Sequence, residues 1–438
     1  MLLRFGLANY ASFRDATELS FVASAQADAP SWRIEAAHAP HGVLPVVGVW
    51  GGNASGKSNL LRGLAVFRNR VRDSFVGFTP DEAIPWIPFA MRTGPTDPTT
   101  SMDLDVLVDG TRFHYGARFR STGFVEEWLY AWPRHRKQIL FHRNHAERAP
   151  WYFGSNLGGQ RQHIARATRP NCLFLSVAAQ YNHEQLTPVY TAITQGIRTE
   201  RRIELRGYPL FRADSLVLRS RLKPAVLAFL SAADLGVVDM RFVASPHAPP
   251  SSRSEAINEV FHPEFLEKLA QRSEDRPQLY ELRLRHGERP DASWELEPEL
   301  ESRGTQILLR RLEDFLETLQ GGGLLLLDEI DTSLHPDICS ELVGLFAKPE
   351  INRRGAQLLF STHDRGLLGT LRRDQVLLID KARDGASSLR SASDFIGLRA
   401  RDDLRRAYEM GRIHGVPVLG DLAGALASAL DLQFDDAP

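Results

Sequence analysis

The stretch that most constrains this chain is Val46-Val47-Gly48-Val49-Trp50-Gly51-Gly52-Asn53-Ala54-Ser55-Gly56-Lys57-Ser58. An apolar, β-type run breaks into a Gly-rich loop, and an amphipathic helix marked by Asn59, Leu60, Leu61 and Leu64 follows. Gly51 and Gly56-Lys57-Ser58 fit G-x-x-x-x-G-K-[ST] with the strand before and the helix after that the motif needs. Glycines let successive N–H groups turn into one concavity, and the helix N-terminus adds positive partial charge. The spacing predicts a nucleoside triphosphate site. Gly51, Asn53, Ser55, Gly56 and Asn59 would line the phosphates, Lys57 would reach the β- and γ-phosphates, and Ser58 would hold Mg²⁺. The competing reading is an incidental Gly-rich turn, which the complete set of fixed positions disfavours.

A chain of 438 residues exceeds one ordinary core, so two or three lobes are expected. A net charge of −1 gives no bulk attraction to nucleic acid or membrane, although a local patch is compatible with it. Cys172 and Cys339 lie far apart without metal or redox spacing, which suits a reducing cytoplasmic compartment. No apolar run is long enough to span a bilayer, and polar residues enter too early for a signal peptide.

Before the loop, Leu2–Ala8 and Thr17–Val22 read as strands, and 24–44, rich in Ala, Pro and His, reads as loop. The helix after Lys57 should run to about Val71, and the prolines of 79–100 demand irregular chain. Met102–Val108 and Thr111–Phe119 flank Asp109-Gly110 as a hairpin, and Phe124–Trp132 extends it. Residues 133–151 interleave Arg134, Arg136, Lys137, Arg143 and Arg148 with Phe141 and Trp151, next to Trp132. Such a stretch can bind nucleic acid, but a solvated hairpin face is the commoner meaning. Helical patterning marks 172–198, 216–233 and 255–272, with a Pro/Ser loop at 245–254. Without sustained heptads, the middle reads as a compact, mostly helical insert. The expected parts are 1–132, 133–295 and 296–438.

Leu324-Leu325-Leu326-Leu327-Asp328-Glu329 reads as a strand buried on both faces that ends in two carboxylates. Asp328 is placed for Mg²⁺ and Glu329 for polarising the attacking water. Ser302 caps a helix with Leu308, Leu312, Phe315, Leu316 and Leu319 on one face; its terminus can meet an anion or can simply be capped. Gln357–Ser361 is another buried strand, and His363 beyond it could reach a γ-phosphate.

With these residues the chain resembles ABC-type ATPase heads of the Rad50, SMC and RecF kind. It is more closely similar to bacterial AAA15/overcoming-lysogenization-like ATP-binding proteins, several of which serve in phage defence and abortive infection. The similarity extends to Asn9-Tyr10-Ala11-Ser12-Phe13-Arg14-Asp15, Phe174-Leu175-Ser176, Asp328-Glu329-Ile330-Asp331 and Tyr408-Glu409-Met410-Gly411-Arg412. The resemblance implies an α/β P-loop fold of ABC type, a mixed sheet with an antiparallel β subdomain and a helical insert. It also implies ATP with Mg²⁺, and Ser302 and Gly304 as a signature motif completing the partner subunit's site. Asp331 would belong to the D-loop, and Glu329 and His363 would be catalytic. The signature departs from Leu-Ser-Gly-Gly-Gln: Glu301 replaces Leu, Arg303 the first Gly, and Thr305 comes between Gly304 and Gln306. Gln180 is the only glutamine raised for the Q-loop, and it lies late.

Two functions are expected from this. One is an ATP-sandwiched homodimer, alone or within a higher assembly, that controls a separate effector such as a nuclease or toxin. The other is a DNA-repair or DNA-end-binding ATPase that grips nucleic acid through 133–151. A fused Toprim nuclease is excluded, since no Asp-x-Asp follows His363, and a GTPase is disfavoured by the lack of Asn-Lys-x-Asp.

Overall fold

The computed structural model describes residues 1–25, 32–91, 99–200, 210–212, 223–233, 235–244, 279–289, 292–296, 300–396, 398, 402–413 and 426. In chain order the strands begin with β1 (Leu2–Ala8), β2 (Thr17–Ser20), β3 (Ile34–Ala36), β4 (Ala39–Val43) and β5 (Val46–Gly51), and helix α1 (Lys57–Asp73) follows. An antiparallel run comes next: β6 (Thr100–Val108), β7 (Thr111–Arg120), β8 (Gly123–Trp132), β9 (Gln138–Asn144) and β10 (Trp151–Phe153). Three short helices, α2 (Arg161–Ala167), α3 (Phe174–Gln180) and α4 (Thr187–Thr194), lead to β11 (Ile197–Thr199). The middle adds β12 (Leu210–Arg212), α5 (Lys223–Ala232), β13 (Val237–Ala244), β14 (Leu279–Arg289) and β15 (Ala292–Leu296). The last part holds α6 (Arg303–Gly321), β16 (Leu324–Leu327), α7 (Pro336–Phe346), β17 (Gln357–Ser361), β18 (Val376–Lys381), β19 (Ser387–Ser391) and α8 (Leu404–Glu409).

Two sheets organise these elements. The first has the order β10-β9-β8-β7-β6-β1-β2 and is antiparallel throughout. The second, β11-β16-β17-β5-β18-β19, is parallel except for its last pair. Its strands β16, β17 and β5 are buried at every position and carry runs of apolar residues because both faces are covered. Val47, Val49, Leu324, Leu326 and Leu359 face one core, shared with α1 and the antiparallel sheet. Their alternates Val46, Trp50, Leu325, Leu327, Leu358 and Phe360 face a second core, with Leu308, Leu312 and Phe315 of α6 and Leu342 and Phe346 of α7. The architecture is a mixed α/β fold with an antiparallel sheet and a helical insert, as a P-loop ATPase of ABC type would have.

Three local findings differ from the sequence reading. The expected loop at 24–44 contains the β3–β4 hairpin, whose turn holds His38 at φ 65°. The middle segment, helical at α2–α5, also carries the sheet β12-β14-β13 with β15 on β14. Residues 216–222, 245–254 and 255–272 lie outside the described residues. The basic stretch divides into a buried and an exposed part. Arg143 has no exposed side chain, donates to the carbonyls of Cys172 and Phe124, and pairs with the equally buried Glu127 at 3.7 Å. Phe141 and Trp151 pack on Phe174, so that half of the pattern is core. Arg134, Arg136, Lys137 and Arg148 are exposed, and the Lys137 ammonium sits 3.9 Å from the Tyr130 ring centroid.

Candidate functional site

The site begins where β5 runs out. All of β5 is buried, and the chain leaves it at Gly51, where a Cβ would lie 2.5 Å from the Ile379 carbonyl oxygen and 2.6 Å from Ser55 Oγ. Gly56 stands at φ +118°, where a Cβ would meet Ser387 Oγ at 2.5 Å and Ser12 Oγ at 2.7 Å. Neither position admits a side chain, so the loop stays tight against β18, β19 and the Tyr10–Asp15 turn. Helix α1 then starts at Lys57 with no side-chain cap, which leaves its first N–H groups to the loop's concavity.

Lys57 Nζ donates to the carbonyls of Gly51 (2.9 Å) and Gly52 (3.0 Å), a parked position within reach of the loop. Burial holds its ammonium below the usual lysine range, against the opposite pull of Asp328, Glu329 and Asp331. Ser55 Oγ is buried without a hydrogen-bond partner, and Asn59 donates to Ser12 Oγ at 3.0 Å. A cleft of about 550 Å³ joins Asn53, Ser55, Gly56, Lys57, Ser58 and Asn59 to Glu329 and His363, with Ser12 and Lys381 at its margin. That volume suits a small-molecule site.

The carboxylates come from the end of β16. Ser361 Oγ donates to Asp328 and accepts from the Glu329 N–H (2.8 Å), which ties the two adjacent strands at their C-terminal ends. Glu329 lies at φ 52°, an uncommon conformation for a non-glycine residue, and Thr332 Oγ1 donates to its carboxylate at 3.2 Å. Asp328 shares a second cavity with Ser58 rather than the cleft itself. A hydroxyl and a carboxylate meeting there are the hard oxygen donors that Mg²⁺ prefers. Asp331 accepts from Thr362 Oγ1 (2.8 Å) and from the His363 N–H (3.2 Å), so it braces the His363 turn.

Ser302 and Gly304 lie outside the cleft of their own chain. Ser302 is exposed and its Oγ accepts from the Thr305 N–H at 3.1 Å, while a Cβ on Gly304 would stand 2.8 Å from the Ser333 carbonyl oxygen. Gln180 ends helix α3 and lines neither cavity. Three contributors escaped sequence reasoning. Glu200, just past β11, lines the cavity with Ser58 and Asp328. Arg311 of α6, 3% exposed, donates to the carbonyls of Glu329, Ile330 and Thr332 and to the Glu200 carboxylate at 3.3 Å. Ser361 is the third. The only available signal was polar residues inside apolar patterns, and it does not name their partners.

A phosphate-type loop on a strand–helix joint, in one parallel sheet with a strand that ends in Asp-Glu, defines the class: an α/β P-loop ATPase domain. The family model described as "AAA domain, putative AbiEii toxin, Type IV TA system" matches residues 46–369, and the chain belongs to that family. Membership supports ATP binding and hydrolysis in general terms. No curated protein matches the chain. The SMC head domain from Thermotoga maritima is similar at 14% identity and a TM-score of 0.40, over 89% of this chain and 98% of that chain; nothing further is built on that likeness. No helix among the described residues is long and apolar enough to cross a membrane.

Proposed function

We propose that the chain is an ABC-type switch ATPase whose two copies sandwich ATP and whose hydrolysis controls a separate effector. In this reading Gly51, Asn53, Ser55, Gly56 and Asn59 cradle the phosphates, and Lys57 leaves its two carbonyls to meet them. Ser58 and Asp328 would hold Mg²⁺, which when bound would neutralise charge on the phosphate oxygens. Glu329 takes the proton of the attacking water, and His363 orients the same region from the neighbouring strand. Ser302 and Gly304, exposed at the start of α6, complete the partner's site, with Asp331 bracing the loop between them.

The observation that carries this reading is the single cleft that unites Lys57 and Ser58 with Glu329 and His363 while Ser302 remains outside it. The family description, which names a putative toxin and a type IV TA system, supports a toxin as the effector; a nuclease effector, a cytoplasmic setting and an AAA15/overcoming-lysogenization-like role in anti-phage defence are further parts of the proposal. A head that itself grips DNA has less support, because Arg143 and Phe141 are spent in the core and Trp151 packs on Phe174. The test is steady-state ATP turnover with Glu329→Gln, which should bind ATP and hydrolyse it at least about a hundredfold more slowly. Normal turnover would remove Glu329 from the role.

A further inference from the structure

A second cavity, of about 360 Å³, runs along the α1 face that presents Ser58, Leu61, Ala65 and Asn69 at helical spacing. Ser58 and Asp328 form one end and Arg70 the other, twelve residues or about 18 Å along the helix. The cavity is therefore slender and remote, at its Arg70 end, from the loop that would hold phosphate. Ile87 and Phe119 add apolar walls, and the Glu200 carboxylate lies in the lining with Ser58 and Asp328.

The Arg70 end is chemically incomplete. Arg70 is 4% exposed; one N–H donates to the Pro85 carbonyl at 2.6 Å, and its guanidinium lies 5.6 Å from the Phe78 ring centroid. Its Nε has no partner, and the Asp73 carboxylate that acts on the guanidinium through space is paired with Arg72. Burial pulls the guanidinium down to about 10, against the opposite pull of Tyr10 and Asp73. Tyr10 Oη, 3% exposed on the facing wall, is also without a partner. The exposed Arg62, two turns before Arg70, adds a second cation to the same cavity. A buried guanidinium with an unpaired Nε, beside an unsatisfied hydroxyl, is costly unless an acceptor completes it.

We propose that this cavity binds a small organic oxyanion whose head meets Arg70, Tyr10 and Arg62 and whose slender apolar body lies along Leu61 and Ala65. The head is a carboxylate or a phosphate, the two groups that a guanidinium recognises with paired N–H donors. Ser58 and Asp328 stand at the far end, so an occupant long enough to fill the whole cavity would also touch the metal side of the nucleotide site. That coupling rests on the proposed function; binding itself does not.

Octanoate and octyl phosphate, titrated calorimetrically into the full chain, test the proposal. At least one should bind saturably at a single site, and the tighter of the two identifies the head group. Arg62→Gln and Tyr10→Phe should each weaken binding about tenfold, the loss of one hydrogen bond to a charged group. Lys57→Ala should leave it unchanged. The empty Tyr10→Phe protein should melt no lower than the natural one, since its hydroxyl has no partner to lose. Failure of both probes to saturate, equal affinities in the variants, loss of binding in Lys57→Ala, or a destabilised empty Tyr10→Phe would each overturn it.

Discussion

Replacing Arg311 by methionine probes how the fold holds Glu329. The change removes the charge and keeps most of the apolar stem that α6 packs. The guanidinium serves the Glu329 carbonyl at 3.0 Å, those of Ile330 and Thr332, and the Glu200 carboxylate at 3.3 Å. Removing one partner of a buried ion pair costs about 3–5 kcal/mol. Glu200 keeps 18% of its side chain exposed, so water recovers part of its charge and the low end, about 3 kcal/mol, applies. Glu329 at φ 52° adds a catalytic consequence, since a non-glycine residue there costs about 1–3 kcal/mol and persists only while its surroundings enforce it. Without the guanidinium that loop relaxes, and the carboxylate loses its aim. The assay is steady-state ATP hydrolysis beside urea unfolding. We expect kcat to fall at least about tenfold with KM nearly unchanged, because Lys57 and its loop are untouched. Arg311→Lys should recover only part of the rate, since an ammonium cannot span several carbonyls as a planar fork does. Natural kcat in Arg311→Met, or a loss confined to KM, would refute the reasoning.

Other outcomes follow from the same geometry. Lys57→Ala should abolish ATP binding measured by calorimetry, because the phosphate charge loses the loop's only lysine. Gly56→Ala must place a Cβ within 2.7 Å of two hydroxyl oxygens at φ +118°. At about 1–3 kcal/mol of strain it should weaken ATP affinity about tenfold or more while circular dichroism stays unchanged. Cys172 and Cys339 are buried, and burial raises both thiols, Cys339 to about 12. A thiol reagent at pH 8 should therefore find neither in the native protein and both after unfolding.

Much of this site was legible because its pieces are local. The β5–loop–α1 joint needs glycine where a Cβ would strike Ile379, and β16 is continuous leucine because both faces are covered. Ser302 was readable as a cap from its place before an apolar helical stripe. The rest depends on distant partners. Nothing near Arg311 in the chain reveals that it reaches Glu200, and Ser361 looks like the end of a strand until Asp328 is beside it. The β3–β4 hairpin was hidden by Ala, Pro and His, which carry little strand preference. By contrast Leu282 and Leu284 alternate with Arg283 and Arg285, so a period-two signal for β14 was present and was not read.

The most direct measurement is the mass of Glu329→Gln in solution with and without ATP and Mg²⁺. The account predicts 49.1 kDa alone, about twice that with nucleotide, and 49.1 kDa again when Ser302→Arg is added. A single mass under all three conditions, or a dimer indifferent to both ATP and Ser302, would contradict it.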